Sequence, residues 1–486
     1  MVRILYLDID SLRPDHLGCY GFHRRTSPNL DALAAEGVRF ENCYATDTPC
    51  LPSRTAFFLG QCGTVTGVVN HGGEFADLAP AKDRDFRSRA GETSLASRLR
   101  GNGVRTCSIS PFPNRHTAYQ VWYGFDETHD TGKGGLENAD EMFPVAERWL
   151  RANGQADGWF LHVNFWDPHT PYDTPRSFGN PFEGDPIEPW LTEDLLARQN
   201  ASFGPHSATE VPGFDDRLGE RWTMGVGAIR HLDDAKRHFD GYDTGIAYAD
   251  LYLGRMFDLL HELGIWEETA IVVSADHGES HGELNVWGDH QTADQACNRI
   301  PLIVRWPGRT EALAGRSFGG LVAHLDMAEA FSTWTSDGTD GALDNALAGG
   351  GRDQLVLSHG AWSCQRSVRW GQWLLIRTYH TGLKEFPEIM LFDIAADPHE
   401  TTNIAAQQPT VVGEGLMRMD AWLGEHMWLG GRGDPLWGVI QEGGPLHARE
   451  SSPEWGRYLA RLRATGRGHH ADNLLRFGGR PMTRGM

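Results

Sequence analysis

Runs of apolar residues the length of a strand alternate with helix-length amphipathic stretches along most of this chain, and that alternation restricts the fold more than any other feature. Residues 4–8, 104–109, 159–164 and 269–274 read as buried strands. Residues 93–100 (halted by Gly101 and Gly103), 139–151 and 241–263 (ended by Gly264) read as helices. Strands followed by helices in this order imply βαβ units and an α/β fold, a mostly parallel central sheet sandwiched by helices. Sites in such sheets form beyond the carboxyl ends of the strands. The polar residues placed there are Asp10, Asp167 to His169, and Asp276-His277.

The 486 residues suffice for a catalytic domain, 1–350, and a C-terminal subdomain, 351–486. Short apolar runs at 355–357, 367–369, 373–377 and 390–392, without long helices between them, predict a small antiparallel sheet in the second. Residues 173–240, rich in Pro, Gly and charge, read as a lid or specificity insertion. The tail from Gly433, with Trp437, Trp455 and a basic helix at 458–463, reads as an arm that wraps a neighbour, so a homo-oligomer is expected. A net charge of −21 argues against a nucleic-acid or anionic-membrane binder. No stretch nears the roughly 18 apolar residues of a membrane span. Met1-Val2-Arg3 runs straight into a strand with no signal-like segment, and the seven cysteines lack close metal-type pairs; a cytoplasmic protein with reduced thiols is expected.

Three local patterns carry chemistry. Asp8-Ile9-Asp10 ends the first strand, and Ser274-Ala275-Asp276-His277-Gly278-Glu279 ends the strand at 269–274. A hard divalent cation takes oxygen ligands from separate strand ends, with an imidazole if one is at hand. Between them in sequence stands Cys50-Leu51-Pro52-Ser53-Arg54, followed by Phe57-Phe58-Leu59 and Gly60. A helix started there puts the Cys50 side chain at the positive end of the helix dipole, where an oxyanion nucleophile and an anionic ester are favoured.

The Cys50 pattern resembles the signature of type I sulfatases. Asp10-Ser11-Leu12-Arg13-Pro14-Asp15, Asp167-Pro168-His169-Thr170-Pro171-Tyr172, Asp276-His277-Gly278-Glu279, Arg299-Ile300-Pro301-Leu302, Leu391-Phe392-Asp393 and Asp397-Pro398-His399-Glu400 stand in that family's order. The resemblance implies the alkaline phosphatase superfamily fold and oxidation of Cys50 to formylglycine by a maturation enzyme. It implies one divalent ion, calcium or manganese, held by Asp10, Asp276, His277 and the modified Cys50, with Asp8 the competing ligand on the first strand. The hydrated aldehyde offers one oxygen to attack sulfur and a second to expel the product, and Arg54, one turn along, is positioned to hydrogen-bond it.

Three departures from the family pattern stand out. Ser11 and His277 replace a second Asp and an Asn, which resembles the branch holding choline sulfatases and phosphonate monoester hydrolases and favours manganese. Ser110-Pro111-Phe112-Pro113-Asn114-Arg115-His116 replaces a Gly-Lys-x-His segment, so Arg115 and His116 are candidates for the missing cation and acid/base group. Asp289-His290 stands in place of a Lys-His pair; Asp289 is expected to bond His290 or a polar part of the substrate. His169 is a candidate for contact with the ester oxygens. His116 and His290 are candidates for protonating the leaving alcohol, work worth roughly 10²–10⁴ in rate. Asn70 and His71 are further pocket candidates. The expected activity is hydrolysis of a small anionic aryl, alkyl or carbohydrate sulfate ester. A phosphonate monoester or phosphodiester hydrolase is the alternative, and a metal-binding pseudoenzyme a third reading.

Overall fold

In the computed structural model, residues 2–80, 86, 88–214, 224–336 and 338–481 are described; the stretch 215–223 of the expected insertion and residues 482–486 of the tail lie outside them. The centre is a nine-stranded sheet. Its parallel core runs Thr269–Ser274, Arg3–Ile9, Trp159–Phe165, Arg105–Ile109, Glu127–His129. Every residue of Arg3–Ile9 and Trp159–Phe165 is buried, as expected of parallel strands covered on both faces.

Four strands had no clear signal in the sequence. Glu127–His129 extends one edge, and Val38–Tyr44, Leu302–Arg305 and Ser317–Ala323 extend the other. Leu302–Arg305 is antiparallel to Thr269–Ser274, so the sheet is mixed. Arg299–Ile300 pairs with the same strand as Leu302–Arg305; the run is interrupted at Pro301, which has no N–H to give to the ladder.

The long helix is Leu232–Glu262, nine residues longer at its start than the apolar period indicated. Its first turns are charged, and the Asp234 carboxylate accepts from the backbone N–H groups of Arg230 and His231 there. Gly241 and Gly245 bring this helix against residues 168–172; a Cβ on Gly245 would stand 2.9 Å from Pro168 Cα. The expected helix at 93–100 is two, Arg89–Thr93 and Leu95–Gly101. Ser94 divides them by taking the N-cap of the second, its side chain accepting from Ser97 N–H.

The second sheet is ordered Ile389–Asp393, Trp373–His380, Cys364–Trp370, Leu355–His359, Asp47–Thr48. Its last strand comes from the N-terminal part and pairs in parallel with Leu355–His359, so the two expected domains share a sheet just before Cys50. Part of the tail folds back on its own chain. Trp455, Tyr458, Leu459, Leu462 and Leu474 pack with Phe203 and Leu383 of the same chain, because Glu210 draws Tyr458, Arg461 and Arg467 onto the insertion. All seven cysteines are free, and no helix among the described residues is long and apolar enough to cross a membrane.

Several histidines are buried in this framework. His238 Nε2 lies 3.2 Å from His281 Nδ1, and burial pushes His238 down to about 3 and His324 and His380 to about 4. Unfolded, each binds a proton below roughly pH 6.5, whereas folded it does not. Their contribution is therefore complete above that pH and is lost as the pH falls toward the folded values, by up to about 1.4 kcal/mol per pH unit per histidine. Urea unfolding of wild type and His238→Phe between neutral and mildly acid pH isolates one of them, since the other buried groups are common to both. The variant is expected to lose stability less steeply with acid; equal slopes would contradict the assignment.

Candidate active site

Asp10 follows the strand Arg3–Ile9, and Asp276-His277 follow Thr269–Ser274. These strands are parallel neighbours with Asp8 opposite Ser274, so their carboxyl ends stop side by side. One ligand atom from each of Asp10, Asp276 and His277 lies within 4.8 Å of the other two, all buried. Among the described residues His277 Nε2 has no hydrogen-bond partner, with Asp276 Oδ2 3.4 Å away. Two carboxylates and an imidazole nitrogen without a bond suit a divalent cation. Asp8 belongs to a layer beneath, bonded to Arg54 and, at 3.1 Å, to His162.

Arg54 lies buried beneath the cluster, one helical turn on from Cys50. Its guanidinium turns toward Asp8, Asp10 (3.0 Å) and Asp276 (3.1 Å) and lies over the Phe112 ring. Three converging carboxylates outcompete a neutral side chain for a buried cation.

Cys50 is the first residue of the helix Cys50–Leu59 and is 6 % exposed. Its Sγ is not among the clustered ligand atoms; it lies 3.5 Å from His71 Nε2. Burial and the charges of Asp10 and Asp276 push the thiol well above its ordinary value, and burial with the Asp276 charge likewise raises Asp10. An unmodified Cys50 is thus a protonated thiol, a poor nucleophile. His71 Nδ1 lies 3.1 Å from His447 Nε2, a tail residue whose ring stacks on Trp362. Asn70 fixes this junction: its Oδ1 accepts from the N–H groups of His71 (2.8 Å) and Leu446 (3.2 Å). Its buried Nδ2 has no hydrogen-bond partner among the described residues.

The remaining candidates form the facing wall. His169 stacks on Trp166, and its Nε2 is 3.9 Å from Asp10 Oδ1. The His290 ring centre is 4.1 Å from that of His277. The Arg115 guanidinium sits 4.1 Å from the Trp166 ring centre, donates to Gly135 O, and its charge reaches Asp10 and Cys50. The His116 ring lies 5.8 Å from that of His71. Burial, with Arg115 acting on His116 and His277 on His290, pushes both rings down to about 3. Each is neutral near pH 7, and the negative charge of a bound ester raises that value.

Asp289 pairs with His206 Nε2 at 3.0 Å, its other oxygen accepting from His290 N–H. The expected bond to His290 is thus made through its backbone, while His290 Nε2 stands 3.9 Å from the carboxylate. His206 comes from the insertion, Trp362 from the turn between the strands Leu355–His359 and Cys364–Trp370, and His447 from the tail. The sequence reading missed all three, and no motif surrounds them. The arrangement gathers Cys50, a cluster of Asp10, Asp276 and His277 that could hold a cation, Arg54, Arg115 and several imidazoles, groups suited to displacement at an anionic ester.

The sulfatase family model matches residues 3–337. Iduronate 2-sulfatase of Mus musculus is 25% identical over 374 residues, covering 69% of this chain and 65% of that protein. The chain thus spans just under two thirds of that relative's length. Choline-sulfatase of Rhizobium meliloti (strain 1021) is 25% identical over 420 residues, covering 78% and 77%. A protein solved in complex with its substrate D-glucosamine-2-N,6-O-disulfate superposes with a TM-score of 0.69 at 18% identity, covering 90% of this chain and 99% of that one. Phosphonate monoester hydrolase of Agrobacterium radiobacter superposes at 0.64 and 21% identity, covering 88% and 96%. These superpositions establish the alkaline phosphatase-like fold, and with the family model matching from the first strand past the second metal-type motif, the chain belongs to the sulfatase family.

Proposed function

We propose that the chain hydrolyses a small sulfate ester, with Cys50 matured to formylglycine as nucleophile and a divalent ion held by Asp10, Asp276 and His277. The observation that carries this reading is the buried Cys50 at a helix N-terminus beside that triad. As a thiol it is the wrong nucleophile in the right place, so a maturation enzyme acting on Cys50 is the partner the reading requires. The ion, when bound, polarises an ester oxygen and lowers the pKa of a hydroxyl at the nucleophile position.

The chain's own residues do the rest. Arg54 offsets the negative charge of Asp8, Asp10 and Asp276. Asn70 Nδ2 and Arg115 are the donors available to the ester oxygens, with His169 beside them. His71 Nε2, fixed through Nδ1 by His447, stands where a proton is exchanged with the nucleophile. His290 and His116 are the groups placed to protonate the leaving alcohol. The imidazole in the triad favours manganese over calcium.

A second reading, a phosphonate monoester or phosphodiester hydrolase, draws support from Asp289 in place of a lysine. A panel of aryl, alkyl and carbohydrate sulfates against matched phosphonates and phosphodiesters decides between them. The primary reading expects the highest kcat/KM on a sulfate, and a higher value on a phosphonate would overturn it.

A further inference from the structure

A cavity of about 250 Å³ lies between the insertion, the turn at 282–285 and the edge of the second sheet. None of Cys50, Asp10, Asp276, His277, His169 or His290 lines it. Much of its wall is apolar: Phe203, Leu284, Phe386, Met390 and Phe392. Its polar wall includes Glu283, paired with Arg13 and His399, and Glu385, which accepts from Ser202 and lies 3.4 Å from His470 Nδ1; Lys384 and Glu400 differ from these.

Lys384 is 5 % exposed, and its Nζ donates only to Asn285 O, at 3.3 Å. Among the described residues no carboxylate lies within 4.0 Å of it. The acids whose charge reaches it are engaged elsewhere, Asp289 with His206 and Glu210 with Tyr458, Arg461 and Arg467. Glu400 is 3 % exposed; its Oε1 accepts from Gln295 N–H, while its buried Oε2 has no hydrogen-bond partner among the described residues.

A buried ammonium without a counter-ion is costly, and a protein retains one where something completes it. Burial pushes Lys384 down to about 7, as expected of an amine with its partner missing. We propose that this cavity is a second ligand site, distinct from the catalytic centre, for a small organic anion whose oxyanion sits on Lys384 Nζ and whose short apolar body lies against Phe203, Leu284 and Phe386. Glu400 Oε2 meets a hydroxyl or amine on that body. The bound oxyanion supplies the ion-pair partner that Lys384 Nζ lacks among the described residues, and the aromatic wall selects an organic anion over a hydrated inorganic one.

The test is isothermal titration of the full-length protein with sodium hexanoate, with hexanol and sodium sulfate as comparisons. One hexanoate per chain is expected, binding at least about tenfold more tightly than hexanol. Lys384→Met should weaken hexanoate by about tenfold or more. Ser202→Trp, which fills the cavity from its rim and keeps the lysine, should abolish binding and serves if the Met variant does not fold. Saturating sulfate at the catalytic centre should leave hexanoate binding unchanged. The proposal is overturned by the absence of saturable hexanoate binding, by binding that survives both substitutions, or by competition with sulfate.

Discussion

Replacing Cys50 by alanine is expected to lower kcat on the preferred ester by on the order of 10⁴–10⁶-fold, since loss of a nucleophile removes most of the chemistry. The serine variant separates the two functions of a hydrated aldehyde. Serine supplies one attacking oxygen and no second hydroxyl with which to eject the product. Cys50→Ser should therefore release about one equivalent of alcohol per site and stop, with the chain about 80 Da heavier by one sulfuryl group. A stopped-flow burst and the intact mass of the arrested protein read both outcomes. Steady turnover by the serine variant would show that the second hydroxyl is dispensable here.

Asp276→Asn should lower bound metal and kcat/KM together, the latter by about 10²–10⁴-fold, because it removes one of two clustered carboxylates. Arg54 retains Asp8 and Asp10 as partners, so the fold should survive with its far-UV circular dichroism unchanged. Metal content by elemental analysis, read beside activity, distinguishes a ligand from a residue that acts only on the ester. Full metal occupancy with lost activity would move Asp276 out of the ligand set, and full activity would remove it from the mechanism.

What was legible in the sequence was local. Asp10, Asp276 and His277 stand directly after strands whose burial shows as apolar runs, and parallel pairing then brings the strand ends together. Cys50 sits in a contiguous pentapeptide opening a helix. The failures come from contacts that no local pattern encodes. Helical spacing sets Arg54 one turn from Cys50 but says nothing of the three carboxylates on other elements that its guanidinium meets. His447 lies 376 positions from His71 and reaches it because Trp455, Tyr458 and Leu462 pack the tail onto Phe203 and Leu383. Asp289 finds His206 within an insertion whose weak periodicity carried no sign of a partner. The start of the long helix was hidden because Asp233, Asp234, Lys236 and Arg237 interrupt the apolar period, while Lys236 and Asp240 pair along its surface.

The state of Cys50 is the point on which the whole account turns. Intact-mass measurement and peptide mapping of the active protein read it without reference to substrate or metal. Conversion to formylglycine makes the peptide containing Cys50 about 18 Da lighter, with sulfur replaced by oxygen and two hydrogens lost. The account predicts that kcat scales with the converted fraction across preparations. A fully active preparation in which Cys50 keeps its sulfur would contradict it.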